Sequence, residues 1–112
     1  MAAPTRDDAT LMIQIAQWMA TSGVNETMPA LWASDFDPET ADPQSAPVRL
    51  ALGVFETIGT LVKHDLLSFE LVKDWMWLEG IWSRVGPAAL RMRAEAGEPR
   101  LYENFEALAT RA

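Results

Sequence analysis

"KDWMWLEGIW", residues 73–82, places three of the chain's five tryptophans within ten positions. If a helix runs unbroken from Phe69 to Val85, then at about 100° per residue Leu71, Val72, Trp75, Leu78, Trp82 and Val85 share one broad apolar face, with Met76 at its margin. Trp75 and Trp82 follow one another along that face. Trp77 falls elsewhere, among Lys73, Arg84 and Glu70, with Ile81 one turn further on. A large aromatic on a charged face is the informative exception to burial. Either it lies under another helix of the same chain, clasped by the apolar stem of Lys73, or it anchors an interface, where tryptophan is enriched. The interface candidates are therefore Trp77, Ile81, Lys73 and Arg84. A break at Gly80 would reset the phase after Trp77 and separate Ile81 from it.

The same helical spacing recurs on both sides of this stretch, and no run alternates cleanly as a half-buried strand does. Upstream, Thr5 and Asp8 have the spacing of a capping box for a helix over 7–21, which Ser22-Gly23 ends. Leu11, Met12, Ile13, Ile15, Trp18 and Met19 cover most of its circumference, so this helix is central to the core or partly in an interface. "NETMPALWASDF" reads as a shorter helix with Asn25 or Thr27 as cap and Pro29 in the first turn. A proline-rich acidic loop follows at 34–47. A third helix runs from near Pro47 to about His64, with Leu50, Val54, Phe55, Ile58, Leu61 and Val62 inward. Ser68 caps a fourth, which continues or kinks toward Gly86-Pro87. "AALRMRAEA" is a fifth, stopped by Gly97 and Pro99, and "RLYENFEALA" is a last short one. The predicted fold is all-α: a compact bundle of five to six short helices forming a single domain over 1–112.

Bulk properties narrow the function classes. A net charge of −7 argues against nucleic acid, which needs a basic face. The acidity is local: residues 1–46 hold seven acids and one base, residues 47–112 nine acids and eight bases. With no cysteine, disulfides, thiolate zinc sites and a cysteine nucleophile are excluded. The absence of a secretory pattern and of a long apolar run points to a cytoplasmic protein without a membrane segment.

Candidate sites are sparse. Asp35, Asp37 and Glu39 alternate like the first calcium ligands of an EF-hand, but position 6 is Thr40 and position 12 is Ala46, so no metal is expected. His64, beside Asp65, has no catalytic company and falls at a helix end, where a cation complements the dipole. Glu56 shares a helix side with Arg49 and Lys63. That stripe is either solvated or lies under another helix, with Gly53 permitting close approach. Arg84 and Arg91 share a face only if Gly86-Pro87 does not kink the axis. Salt bridges from the arginines to Glu95, Glu98 or the acidic loop are expected in place of an anion site.

Several of these segments, Glu56–Val62, Ser68–Val72, Trp75–Arg93 and the terminal "LYENFEAL", together with "DDATLMIQIAQWM" at the start, resemble a family of small bacterial helical proteins known only as a domain of unknown function. The resemblance implies an all-helical fold, no assigned activity and no catalytic residues. Some relatives begin with a membrane segment. The residues themselves point to an interaction domain without enzymatic activity, without a cofactor, and most simply a homodimer. The alternative is a binder of a small apolar ligand, held between helices in a cavity lined by Trp18, Met19, Trp75, Met76 and Trp82.

Overall fold

The computed structural model describes residues 3–112. Among them the chain forms six α-helices and one short 3-10 helix, with no strand, as the sequence predicts. α1 (Arg6–Thr21) opens with the expected capping box: Thr5 Oγ1 accepts from the Asp8 N–H, and Asp8 accepts from the Thr5 N–H at 2.8 Å. The other oxygen of Asp8 accepts the Ser68 N–H at 2.9 Å, so the residue that starts α1 also pins it to the turn before the fourth helix.

α2 (Val24–Thr27) is a single turn that passes directly into the 3-10 helix Met28–Trp32, with Pro29 at its start. Gly23, not Asn25, precedes α2, because the chain turns there through a left-handed conformation (φ 93°) that glycine adopts freely. α3 (Ala46–Lys63) is the central helix and buries Val48, Leu52, Phe55 and Ile58 completely. It ends in a Schellman motif. Asp65 takes the left-handed position (φ 58°), its N–H reaches Val62 O, and the Leu66 N–H reaches Leu61 O at 2.9 Å.

The helix that carries the tryptophans is broken, and at neither place the sequence favoured. α4 (Phe69–Trp75), capped by Ser68, stops at Met76, which is extended (φ −121°, ψ 141°). Trp77 forms a tight three-residue turn, its φ of −82° and ψ of 75° placing the Leu78 N–H on Met76 O at 3.0 Å. α5 (Leu78–Ala96) then runs without interruption through Gly80, Gly86 and Pro87. The reason is phase. On one continuous helix the mean directions of the buried side chains of α4 (Phe69, Val72) and of α5 (Leu78, Ile81, Val85) would lie on opposite sides, about 180° apart. Two non-helical residues rotate both sets onto one core. Pro87 deprives only the Ser83 carbonyl of its helix bond, at an exposed residue.

α6 (Glu103–Arg111) packs across α3 and α5. Its N-terminus has no local cap: Tyr102, in a left-handed conformation, contributes no side-chain bond. The cap comes from α3. The Glu56 carboxylate accepts the N–H groups of Asn104 (3.0 Å) and Phe105 (2.9 Å) and the Asn104 side-chain amide (2.9 Å). Of the two readings of the Glu56 stripe, the one under another helix holds for Glu56 itself, while Arg49 and Lys63 remain exposed. The glycine that admits the helix is Gly59, not Gly53. A Cβ at 59 would lie 2.4 Å from Asn104 O, whereas one at 53 would meet nothing within 4 Å. Phe105 is thereby set in the core, stacked on Phe55 (5.1 Å) and met edge-on by Trp82 (5.0 Å).

Candidate interaction surfaces

The turn at Met76-Trp77 also decides what Trp77 does. As the residue just ahead of α5, its side chain lies back over Gly80, where a Cβ would come within 2.2 Å of the indole. The outer part of the ring stays in solvent, 67% exposed, and stacks on Trp32 (centroids 6.2 Å apart, planes at 18°), itself 41% exposed. Two neighbouring indoles thus stand open on one surface. Sequence spacing singled out Trp77 but not Trp32, which it assigned to no surface.

The remaining interface candidates separate from Trp77. Ile81 is 4% exposed and belongs to the core, because the phase reset turns it inward with Leu78 and Val85. Arg84 is half-buried beneath the chain that follows Trp32. Its Nε donates to Leu31 O at 2.7 Å, and its guanidinium lies over the Phe36 ring at 5.1 Å. Lys73 is exposed on α4.

α5 is continuous through Gly86-Pro87, and Arg84 and Arg91, seven residues apart on it, both reach the acidic loop and together hold it. They do so through main-chain carbonyls, not through the expected salt bridges. Arg91 donates to Pro38 O (3.1 Å), Glu39 O (2.6 Å) and Ala41 O. The loop has no strand or helix to satisfy these carbonyls, so the guanidinium fork replaces a ladder. Within the loop, Asp37 accepts the Glu39 N–H (3.0 Å) and Asp42 the Gln44 N–H (2.9 Å), both as Asx turns.

Of the five residues considered for a cavity, Met19 is buried. Trp75 and Met76 are partly buried against the core, Trp82 is turned toward Phe105 and covers Gly86, and Trp18 is 41% exposed at the edge of α1. Two surface grooves lie elsewhere. One of about 340 Å³ runs along the α3–α6 seam past Gly59, Val62 and Leu108. The other, of about 760 Å³, runs past Val62, Leu66 and Phe69 toward Thr5. Arg111 lines both, its guanidinium 4.0 Å from the Phe69 ring centroid. His64 is exposed at the end of α3.

Charge at the helix ends is arranged locally. Hydrogen bonding from the Thr5 backbone holds the Asp8 carboxyl below its ordinary value of 3.8. The Arg100–Glu103 pair (3.0 Å) lowers the Glu103 carboxyl and raises the Arg100 guanidinium. Arg93 ties the end of α5 to α6 through Leu101 O (2.7 Å) and Glu106 (3.1 Å).

α1 presents a further surface. Ile15 and Met19 face inward, and to one side of them, about 110° round the helix and next to the polar strip, Ala9, Ile13, Ala16 and Ala20 follow one another at intervals of four, three and four residues. Ile13 stands at the middle of this stripe and is 53% exposed. No acid borders it; Arg6, Thr10 and Gln17 flank one side and Met12 the other, by the 100° wheel. No helix among the described residues is long and apolar enough to cross a membrane.

No curated protein and no solved structure matches the chain. One family model does match, over residues 3–112, and it takes in the Glu56–Gly59 seat on α3, the Asn104-Phe105 start of α6 and both tryptophans of the exposed pair. The chain is a member of the family described as Domain of unknown function (DUF4760).

Proposed function

We propose that this chain is a non-enzymatic interaction domain of the cytoplasm that pairs with a second copy of itself through the outer face of α1. The carrying observation is Ile13, half in solvent at the centre of a stripe whose 4-3-4 spacing is that of a two-helix seam. Alanines on either side allow two such helices to approach closely. The flanks carry little charge, so a two-fold contact places no acid against its own copy. The Trp32–Trp77 pair is less suited to that role, because the acidic loop beside it would meet itself across the axis.

The size of the face sets the strength. A helix of 16 residues is about 24 Å long and about 10 Å wide. The area it covers is well below the ~800 Å² per partner of a standard interface, so the pairing is weak and concentration-dependent. Sedimentation equilibrium of the wild type and of Ile13→Glu, from dilute to millimolar protein, tests it. The wild type should shift toward dimer as concentration rises, and Ile13→Glu should remain monomeric. A wild type that stays monomeric throughout, or a variant that dimerises equally well, refutes the reading.

A further inference from the structure

The Trp32–Trp77 pair is continuous with the acidic loop, because the chain leaves Trp32 and is drawn along α5 by Arg84 and then Arg91. Both guanidinium groups are engaged by main-chain carbonyls, so neither reaches a carboxylate of the loop. Among the described residues the ion pairs are Arg93–Glu106 and Arg100–Glu103, both distant from it in sequence. Asp35 and Glu39 are exposed, and among the described residues no hydrogen bond to either carboxylate is formed. Asp37 and Asp42 each accept one N–H of the loop. Counting both arginines, the loop's four acids leave two excess negatives (4 − 2) on the chain that runs from Trp32 along α5.

We infer that this surface docks a basic, extended segment of another protein, with a lysine or arginine against the exposed Trp32–Trp77 pair and further cations at Asp35 and Glu39. The indole face attracts cations more strongly than any other side-chain ring, and uncompensated carboxylates raise the local concentration of positive partners. The same charge works against the alternatives. A second copy of this chain brings its own net charge of −7, and nucleic acid brings phosphates. A purely apolar segment would bury carboxylates that have no partner. The loop is also already ordered, its carbonyls held by arginine and its backbone stiffened by Pro38 and Pro43, so little chain entropy is lost on binding. This docking does not depend on the α1 contact, which lies on another helix.

The probe is a blocked Arg-Gly-Arg-Gly-Arg peptide, titrated at low ionic strength and followed by calorimetry and tryptophan fluorescence. One-site binding with a change in fluorescence is expected. Trp77→Ala and the double variant Asp35→Asn/Glu39→Gln should each weaken it by about tenfold or more, equivalent to 1.4 kcal/mol. Glu70→Gln/Glu95→Gln removes the same charge from exposed positions on α4 and the far end of α5 and should change the affinity by less than about twofold. The double variant replaces exposed side chains isosterically, so it reports on binding even if Trp77→Ala perturbs the turn. Ile13→Glu should bind as the wild type does, which separates this surface from self-association. No binding, equal loss in the two charge-matched double variants, or full affinity in Trp77→Ala would overturn the inference. So would adsorption to phosphatidylcholine vesicles through the indoles without peptide binding, which would assign the surface to a membrane.

Discussion

Replacing each of two glycines of α3 by alanine tests the seat of α6 directly. Gly53 and Gly59 stand six residues apart in the same helix. Alanine is favoured over glycine in a helix interior by about 1 kcal/mol, and both substitutions gain that. At Gly53 the new methyl meets nothing within 4 Å, so Gly53→Ala should stabilise the domain by about 1 kcal/mol, raising Tm by roughly 4 °C. At Gly59 the methyl would lie 2.4 Å from Asn104 O, 2.6 Å from Asn104 C and 3.0 Å from Phe105 N, all backbone atoms of α6 or its first turn. Carbon and oxygen do not approach much below about 3.2 Å without strain, so α6 must retreat by somewhat under about 1 Å.

That retreat stretches the two backbone bonds that Glu56 accepts at 2.9 and 3.0 Å to the limit of hydrogen bonding, and these are charge-assisted bonds worth about 1.5–3 kcal/mol each. It also loosens Phe105, Leu108 and Ala109 in the core. Against a propensity gain of about 1 kcal/mol, a net loss of about 2–4 kcal/mol is expected for Gly59→Ala. Chemical denaturation followed by circular dichroism gives the stabilities, and amide exchange in α6 locates the loss. If Gly59→Ala proves as stable as Gly53→Ala, α6 does not rest on α3 as described and the Glu56 cap is not what holds it.

Arg91→Lys should cost about 1–3 kcal/mol and speed amide exchange in the loop between Phe36 and Gln44, because an ammonium cannot reproduce the fork that spans three carbonyls; unchanged exchange would count against its role. His64→Gln should shift stability by less than about 1 kcal/mol, the scale of a helix-end dipole interaction at an exposed residue; a loss of several kcal/mol would mean that it is partnered. Asp65→Gly, at the left-handed end of α3, should raise stability by about 0.5–1 kcal/mol by relieving the Cβ strain, read as a higher Tm. The folded-state carboxyl of Asp8 is depressed, so its contribution is complete above its ordinary value of 3.8 and is lost as pH falls through the folded value. The Tm gap between wild type and Asp8→Asn should therefore be open at neutral pH and close under acid conditions; a gap independent of pH would refute the capping role.

What was legible in the sequence was what depends on neighbours three or four residues away. The Thr5–Asp8 box, the Ser68 cap and the glycine stop at Gly97 are local, and the structure bears them out, as it does Val54, Phe55, Ile58 and Val62 of α3's predicted inward face; Leu50 and Leu61 are only partly buried, while Val48, Ala51 and Leu52, outside that face, are buried. What was not legible depends on partners some fifty residues apart. Nothing near Glu103 announces that the N-terminus of α6 is capped by Glu56, and the side chain of Glu56 reads locally as one of a solvated stripe. Gly53 and Gly59 are indistinguishable until the helix that crosses one of them is in place. The arginine-held loop failed to show for the same reason: a carbonyl has no signature in sequence, so the nearby carboxylates drew the expectation instead.

The tryptophan stretch combines both kinds of information. Wheel geometry separated Trp77 from Trp75 and Trp82, and that much is local. The wheel was drawn on a helix that does not exist, so it carried Ile81 outward with Trp77, and the turn at Met76-Trp77 sends them to opposite environments. The conflict was nonetheless present in the residues: on a single straight helix Phe69 and Ile81, both large and apolar, fall about 120° apart, and both lie off the face that Trp75 and Trp82 share. The break between them turns both onto the core. With Met76 extended and Trp77 in the turn, the break leaves a large indole just outside both helices. There it shields the backbone of Gly80 and stacks on Trp32, with the outer part of the ring in solvent. The exposed pair is thus a consequence of how the core is filled, and the acidic loop drawn alongside by Arg84 and Arg91 is what turns an exposed aromatic into a surface selective for positive charge.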